Sequence, residues 1–144
     1  MNAIVNVARG WIGTPYVHQA SVRGAGCDCL GLVRGIWREI LGAEPEAVPA
    51  YTPDWAEPQR DEVLLRAAGR TLIEVPQGRP IQAGEVLLFR MRTGSVAKHL
   101  GIVSKDEHVM SFIHAYQGHG VVENALSNPW VRRIVARFDF PLEA

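Results

Sequence analysis

The order of elements along the chain predicts an α+β fold, with N-terminal helices packed on a central antiparallel β-sheet. Helical periodicity occupies the first part of the sequence, and strand-like runs separated by turn residues occupy the second, an order that disfavours an alternating βαβ arrangement. The 144 residues, 47% hydrophobic and 21% charged, fall in the range of one compact domain with a self-sufficient core. A single domain over residues 1–144 is therefore expected.

Ile4, Val7, Ala8 and Trp11 recur at helical spacing until Gly13-Thr14-Pro15 breaks the pattern, which predicts a short first helix. From Tyr16 to Gly26 no period is present, and Gly24 and Gly26 permit tight backbone just before two cysteines. Cys29, Val33, Ile36, Trp37, Ile40 and Leu41 then form one face of an amphipathic helix, with Asp28 placed to cap its start and Gly42 to stop it. Residues 43–58 hold Pro45, Pro49, Pro53 and Pro58 with Tyr51 and Trp55, and read as an irregular loop. A short polar helix is expected from Glu62 to Gly69, with Val63, Leu64 and Leu65 toward the core. Strands are expected over Glu85–Arg90, Leu100–Val103, Val109–Ile113, Gly120–Glu123 and Val131–Phe138.

Composition removes several classes of function. Fifteen basic and fifteen acidic residues give a formal net charge of zero, so no global field draws the chain to nucleic acid or anionic lipid. No run approaches the ~18 apolar residues of a membrane span, and the N-terminal stretch is a poor secretory signal, so neither membrane insertion nor general export is expected. Cys27 and Cys29 are the two cysteines, too close in sequence for an unstrained bridge, so both are read as thiols. Gly24-Ala25-Gly26 lacks the spacing and preceding strand of a phosphate loop.

Cys29 stands in what should be the first helical turn, where unpaired N–H groups and the macrodipole favour a thiolate. Against this stands the commoner fate of a free cysteine, a small buried hydrophobe. Gly31, on the same turn, removes a side chain where a substrate backbone could approach. His99 and His114 flank a hairpin whose turn is expected at Lys105-Asp106-Glu107-His108. With the turn centred between Asp106 and Glu107, His99 lies directly opposite His114, and His99, Gly101, Phe112 and His114 share one face. A thiol, an imidazole base and a third polar group orienting the base are what activated-thiol catalysis needs. Each histidine alone reads as a structural or surface residue, and it is the opposed pair that points to a site. His108 and His119 fall in turns and read as solvated, whereas His18 lies in the loop near the cysteines. Cys27, Cys29, His99 and His114 could also form a zinc site, but Cys-x-Cys is shorter than structural zinc spacing and no metal is expected.

These residues, Gly13-Thr-Pro-Tyr16, Cys27-Asp-Cys-Leu-Gly-Leu-Val33, Pro80 to Phe89, Lys98-His-Leu-Gly-Ile-Val103, Phe112-Ile-His-Ala115 and Gly120-Val-Val122, resemble in order the NlpC family of papain-like cell-wall cysteine peptidases. Trp11 to Val33, Tyr51 to Trp55 and Phe138 to Pro141 resemble its branch of phage and gene-transfer-agent peptidases. The resemblance implies the papain-like NlpC fold, with Cys29 as nucleophile, His99 as general base and His114 as the third polar residue. Tyr16 and Asp28 match positions lining the substrate pocket, a carboxylate there suiting an ammonium group, and His18 is a further candidate to line it. Leu30 stands where the family usually has Ser, His18-Gln19-Ala20 where Trp-Gly-Gly is common, and Glu85 where Asp is usual.

The implied activity is cofactor-free cleavage of peptidoglycan stem peptides, commonly between D-glutamate and the diamino acid. The alternative is a non-enzymatic tail or baseplate module that keeps the fold to bind wall. The expected partners are the stem peptide and phage-type tail or baseplate hub proteins. The chain is expected to be made in the cytoplasm without a signal peptide, carried in a tail particle and active in the periplasm or cell wall.

Overall fold

The structure is a computed structural model that describes residues 2–46 and 62–142. Most of the Pro-rich stretch, with Tyr51 and Trp55, lies outside the described residues. Helix α1 (Ala3–Gly10) is capped by Asn2, whose side chain accepts the Val5 N–H at 3.1 Å, and it buries Ile4, Val5 and Ala8. A two-stranded hairpin follows, β1 (Ser21–Val22) with β2 (Gly26–Cys27), where the sequence showed no period. Helix α2 (Cys29–Leu41) begins and ends where its pattern and its cap predict. The Asp28 carboxylate accepts the Gly31 N–H at 2.7 Å, and Leu32, Val33 and Ile36 are buried.

Helix α3 (Val63–Thr71) buries Leu64 and Ala68, while Val63 and Leu65 are only half-buried, so its core stripe is narrower than the sequence suggests. Strands β3 (Ile73–Glu74), β4 (Val86–Phe89), β5 (His99–Lys105), β6 (Ser111–Tyr116) and β7 (Gly120–Ala125) follow. The short helix α4 (Asn128–Val131), with Pro129 in its first turn, takes Val131 from the expected last strand, and β8 (Ile134–Asp139) begins only at Ile134.

Among the described residues, six strands form one antiparallel sheet in the order β3-β8-β4-β5-β6-β7. All four residues of β4 are buried, because both faces of the sheet are covered. On one face Leu88, Leu100, Ile102 and Ile113 pack with Ile4, Trp11, Leu32 and Ile36 from the helices. On the other, Leu87, Phe89, Val103, Phe112 and Leu126 form a second core that Trp130 of α4 closes.

Glu85, at the entry to β4, is 1% exposed. Its carboxylate accepts from Arg137 of β8 at 2.7 and 3.0 Å, from Arg79 at 2.9 Å and from the Gln82 N–H at 3.0 Å. Arg79 also reaches Asp139, and these contacts hold its guanidinium well above its usual proton affinity. Removing one member of a buried ion cluster strands its partners. Glu85→Ala should therefore lower unfolding stability by about 3 kcal/mol in a urea titration, more than an exposed carboxylate would.

Candidate active site

Cys29 opens α2, and its thiol is held against β5. Its Sγ lies 3.6 Å from the Lys98 carbonyl, and the Leu100 N–H points at it, so the sulfur sits against the main chain on both sides of His99. The Cys29 residue is partly exposed. Its protonation differs from the thiolate that a helix start suggests. Burial, reinforced by the Asp28 carboxylate, pushes the thiol up to about 12, and the N–H groups of Leu100, Leu30 and Cys29 offset only part of this. The helix-terminal donors are present, but desolvation outweighs them, so the resting group is a thiol.

His99 and His114 meet as expected, through a different register. His99 Nε2 lies 2.7 Å from His114 Nδ1. The β5–β6 ladder pairs Ile102 with Ile113 and Val103 with Phe112, which puts Gly101 opposite His114 and makes the two histidines diagonal neighbours. Two features displace the expected pairing by two residues. Residues 106–110 form a longer loop, with His108 at a φ of 57°, and Ser104 is an extra residue in β5 opposite Ser111. An even displacement leaves each side chain on its face, so the histidines still share one. Gly101 permits the diagonal contact. A Cβ there would lie 2.8 Å from the Phe112 ring and 3.4 Å from the His114 Cβ, in the space into which His114 leans.

Aromatic rings enclose the pair. Phe89, Trp130 and Tyr116 lie 5.7, 5.9 and 6.0 Å from the His99 ring, and Phe112 lies 4.2 Å from that of His114. This burial lowers His99 to about 3, with His114 adding to the effect. His114 is itself lowered by burial and by His119, against the hydrogen bond it makes to Asn124. Both imidazoles rest neutral beside a neutral thiol.

Asp28 is 2% exposed, and its second oxygen accepts the Gln19 N–H at 2.8 Å, so it joins the helix start to the preceding loop. His18 Nδ1 stands 3.8 Å from that oxygen. Tyr16 is bridged to Cys27, and its hydroxyl is pushed up to about 12 by burial and by the neighbouring Cys29, Asp28 and Cys27 groups. The structure thus gathers Tyr16, His18 and Asp28 around the Cys29 end of α2. Gly31 acts otherwise than the sequence suggested. A Cβ there would stand 1.9 Å from the Ala20 carbonyl oxygen, so the backbone that approaches it belongs to this chain, not to a ligand. Cys27 is fully buried, and His119 is exposed, stacked on Tyr116 at 5.2 Å.

Sequence reasoning missed Asn124 and Trp130. Asn124 Oδ1 lies 2.7 Å from His114 Nε2. Extending the expected Gly120–Glu123 strand by one residue and pairing it with the histidine strand would have found it, since Asn124 pairs with Phe112 on the face that His114 uses. Trp130 carried no signal, because it falls between the expected Gly120–Glu123 and Val131–Phe138 strands, where no period is present.

Residues 13–138 match the model of the NlpC/P60 family. A protein of Haemophilus influenzae called a probable endopeptidase is 26% identical over 120 residues, 83% of this chain and 62% of that protein, so the chain spans under two-thirds of that relative's length. The solved NlpC/p60 domain of the peptidoglycan hydrolase SagA is 26% identical and superposes with a TM-score of 0.60, covering 97% of this chain and all of that one. An NlpC/P60 protein of Bacillus cereus, 19% identical with a TM-score of 0.63 over 95% of this chain and 39% of its own, shares the fold. Helices on an antiparallel sheet, a thiol at a helix start beside a histidine pair, and a match running through nearly the whole length place the chain in one group: it belongs to the NlpC/P60 family.

Proposed function

We propose that the chain is a peptidoglycan endopeptidase that cleaves stem peptides by thiol chemistry, at the bond between D-glutamate and the diamino acid. The observation that carries this reading is the Cys29 sulfur lying against the backbone around His99, while His114 holds the His99 ring at 2.7 Å. The peptidoglycan hydrolase SagA, whose domain is matched over its full length, supports the substrate class.

Cys29 Sγ attacks the scissile carbonyl carbon as its proton passes to His99, because a thiol raised to about 12 needs a base at the moment of attack. The oxyanion forms beside the Cys29 N–H, one of the orphan donors at the start of α2. The C–N bond breaks as His99 returns the proton to the leaving amine. Water then gives a proton to His99 and its hydroxide to the thioester, which frees the carboxylate product and restores the thiol. Tyr16, His18 and Asp28 border the pocket that receives the peptide's ammonium end.

The likeness of Trp11 to Val33, Tyr51 to Trp55 and Phe138 to Pro141 to phage and gene-transfer-agent peptidases supports delivery by another assembly. A phage-type or gene-transfer-agent tail that opens the wall locally, with hub or baseplate proteins as partners, fits these features, with action in the periplasm or cell wall. Mass spectrometry of fragments released from diaminopimelate-type peptidoglycan tests the reading. Products cut after D-glutamate from wild type, and none from Cys29→Ala, are expected. Equal release by both proteins refutes the thiol mechanism, and no release by either leaves the wall-binding module in its place.

A further inference from the structure

Resting on the hydrolase reading, we infer that Asn124 is a positioning residue that fixes the order of protons along His114 and His99, so that His99 Nδ1 is kept bare to receive the thiol proton. The argument runs inward from the surface. Asn124 Oδ1 can only accept, so His114 Nε2, 2.7 Å away, carries a hydrogen. A neutral imidazole has one N–H, which leaves His114 Nδ1 as an acceptor. His99 Nε2, 2.7 Å from that atom, must then be the donor. His99 therefore has no hydrogen on Nδ1, the ring nitrogen nearest its own main chain. Cys29 Sγ lies against that same stretch of main chain, between the Lys98 carbonyl and the Leu100 N–H. Reversing the hydrogen on His114 would reverse His99 too and present an N–H to the thiol, which cannot take a proton.

Asn124 is suited to this task because it is outside the packed layers. It is an exposed residue of the edge strand β7, pairing with Phe112 and reaching His114 diagonally. Changing its side chain leaves both cores intact. The titratable groups around His114 are His99 from β5, Tyr116 on its own strand and His119 from the turn before β7. On α4 the neighbour is the uncharged Trp130, with the Arg133 guanidinium 5.8 Å from the indole.

The test is nitrogen NMR of the imidazole tautomers in the free protein, together with stem-peptide kinetics, on wild type, Asn124→Ala and Asn124→Asp. In wild type, both rings should carry their hydrogen on Nε2. Asn124→Ala should give mixed tautomers and lower kcat about tenfold, the scale of one neutral hydrogen bond, with KM within about twofold. Asn124→Asp still accepts from Nε2 but favours a charged His114, which donates from both nitrogens and turns His99 around. Its activity should therefore fail at higher pH on the acid side than that of wild type. A hydrogen on His114 Nδ1 in wild type, or unaltered tautomers and kcat in Asn124→Ala, overturns the inference. The tautomer measurement needs no substrate, so it decides this inference even if the hydrolase reading falls.

Discussion

Replacing Cys29 by alanine is expected to lower stem-peptide release on the order of 10⁵-fold or more, the scale seen when a covalent nucleophile is removed. Stability should change by less than about 1 kcal/mol, because the side chain is small and the residue partly exposed. The thiol's resting state has a consequence that can be checked without substrate. With its pKa near 12, Cys29 holds about three orders of magnitude less thiolate at neutral pH than an ordinary cysteine. The greater nucleophilicity of a more basic sulfur recovers roughly half of that on a logarithmic scale. Alkylation by iodoacetamide in the free protein should thus be about thirtyfold slower than for free cysteine. Fast alkylation at neutral pH would show that the sulfur rests as a thiolate, paired with a charged His99.

Acid should destabilise the fold over a window that His99 sets. In the unfolded chain its imidazole takes a proton near pH 6.5, whereas the folded one, walled by Phe89, Trp130 and Tyr116, takes it only near 3. Between these values the unfolded state binds more protons, so stability falls as pH falls, by on the order of 4 kcal/mol across the window. His99→Gln removes the titration and should flatten the fall when urea midpoints are compared from pH 7 to pH 3. A variant as acid-sensitive as wild type would mean that other groups dominate.

Local sequence rules reached the helices and the place of Cys29 at a helix start because both are written in neighbouring residues. Asp28, the apolar stripe and Gly42 delimit α2 without help from the rest of the chain. Facing directions were also legible, since alternation survives an even shift, and so the histidine pair was found despite a misplaced register. The register itself was hidden. It depends on the extra residue at Ser104, whose hydroxyl bonds Ser111 and Glu123 at 2.7 and 2.6 Å, an arrangement that needs a third strand to exist. The thiol's protonation was hidden for a related reason, because helix position is local while desolvation is the sum of everything packed around it. Trp130 closes the histidine cage from a short helix just ahead of a strand-like run, and no period predicts that single turn.

The place of β8 between β3 and β4 gives this protein an order of assembly. Until that strand arrives, β4 has a bare edge and Glu85 lacks its Arg137. β3 too is joined to the rest of the sheet only through β8. Closing the β4 edge should therefore be a late and cooperative step of folding, because it joins residues about fifty apart in sequence.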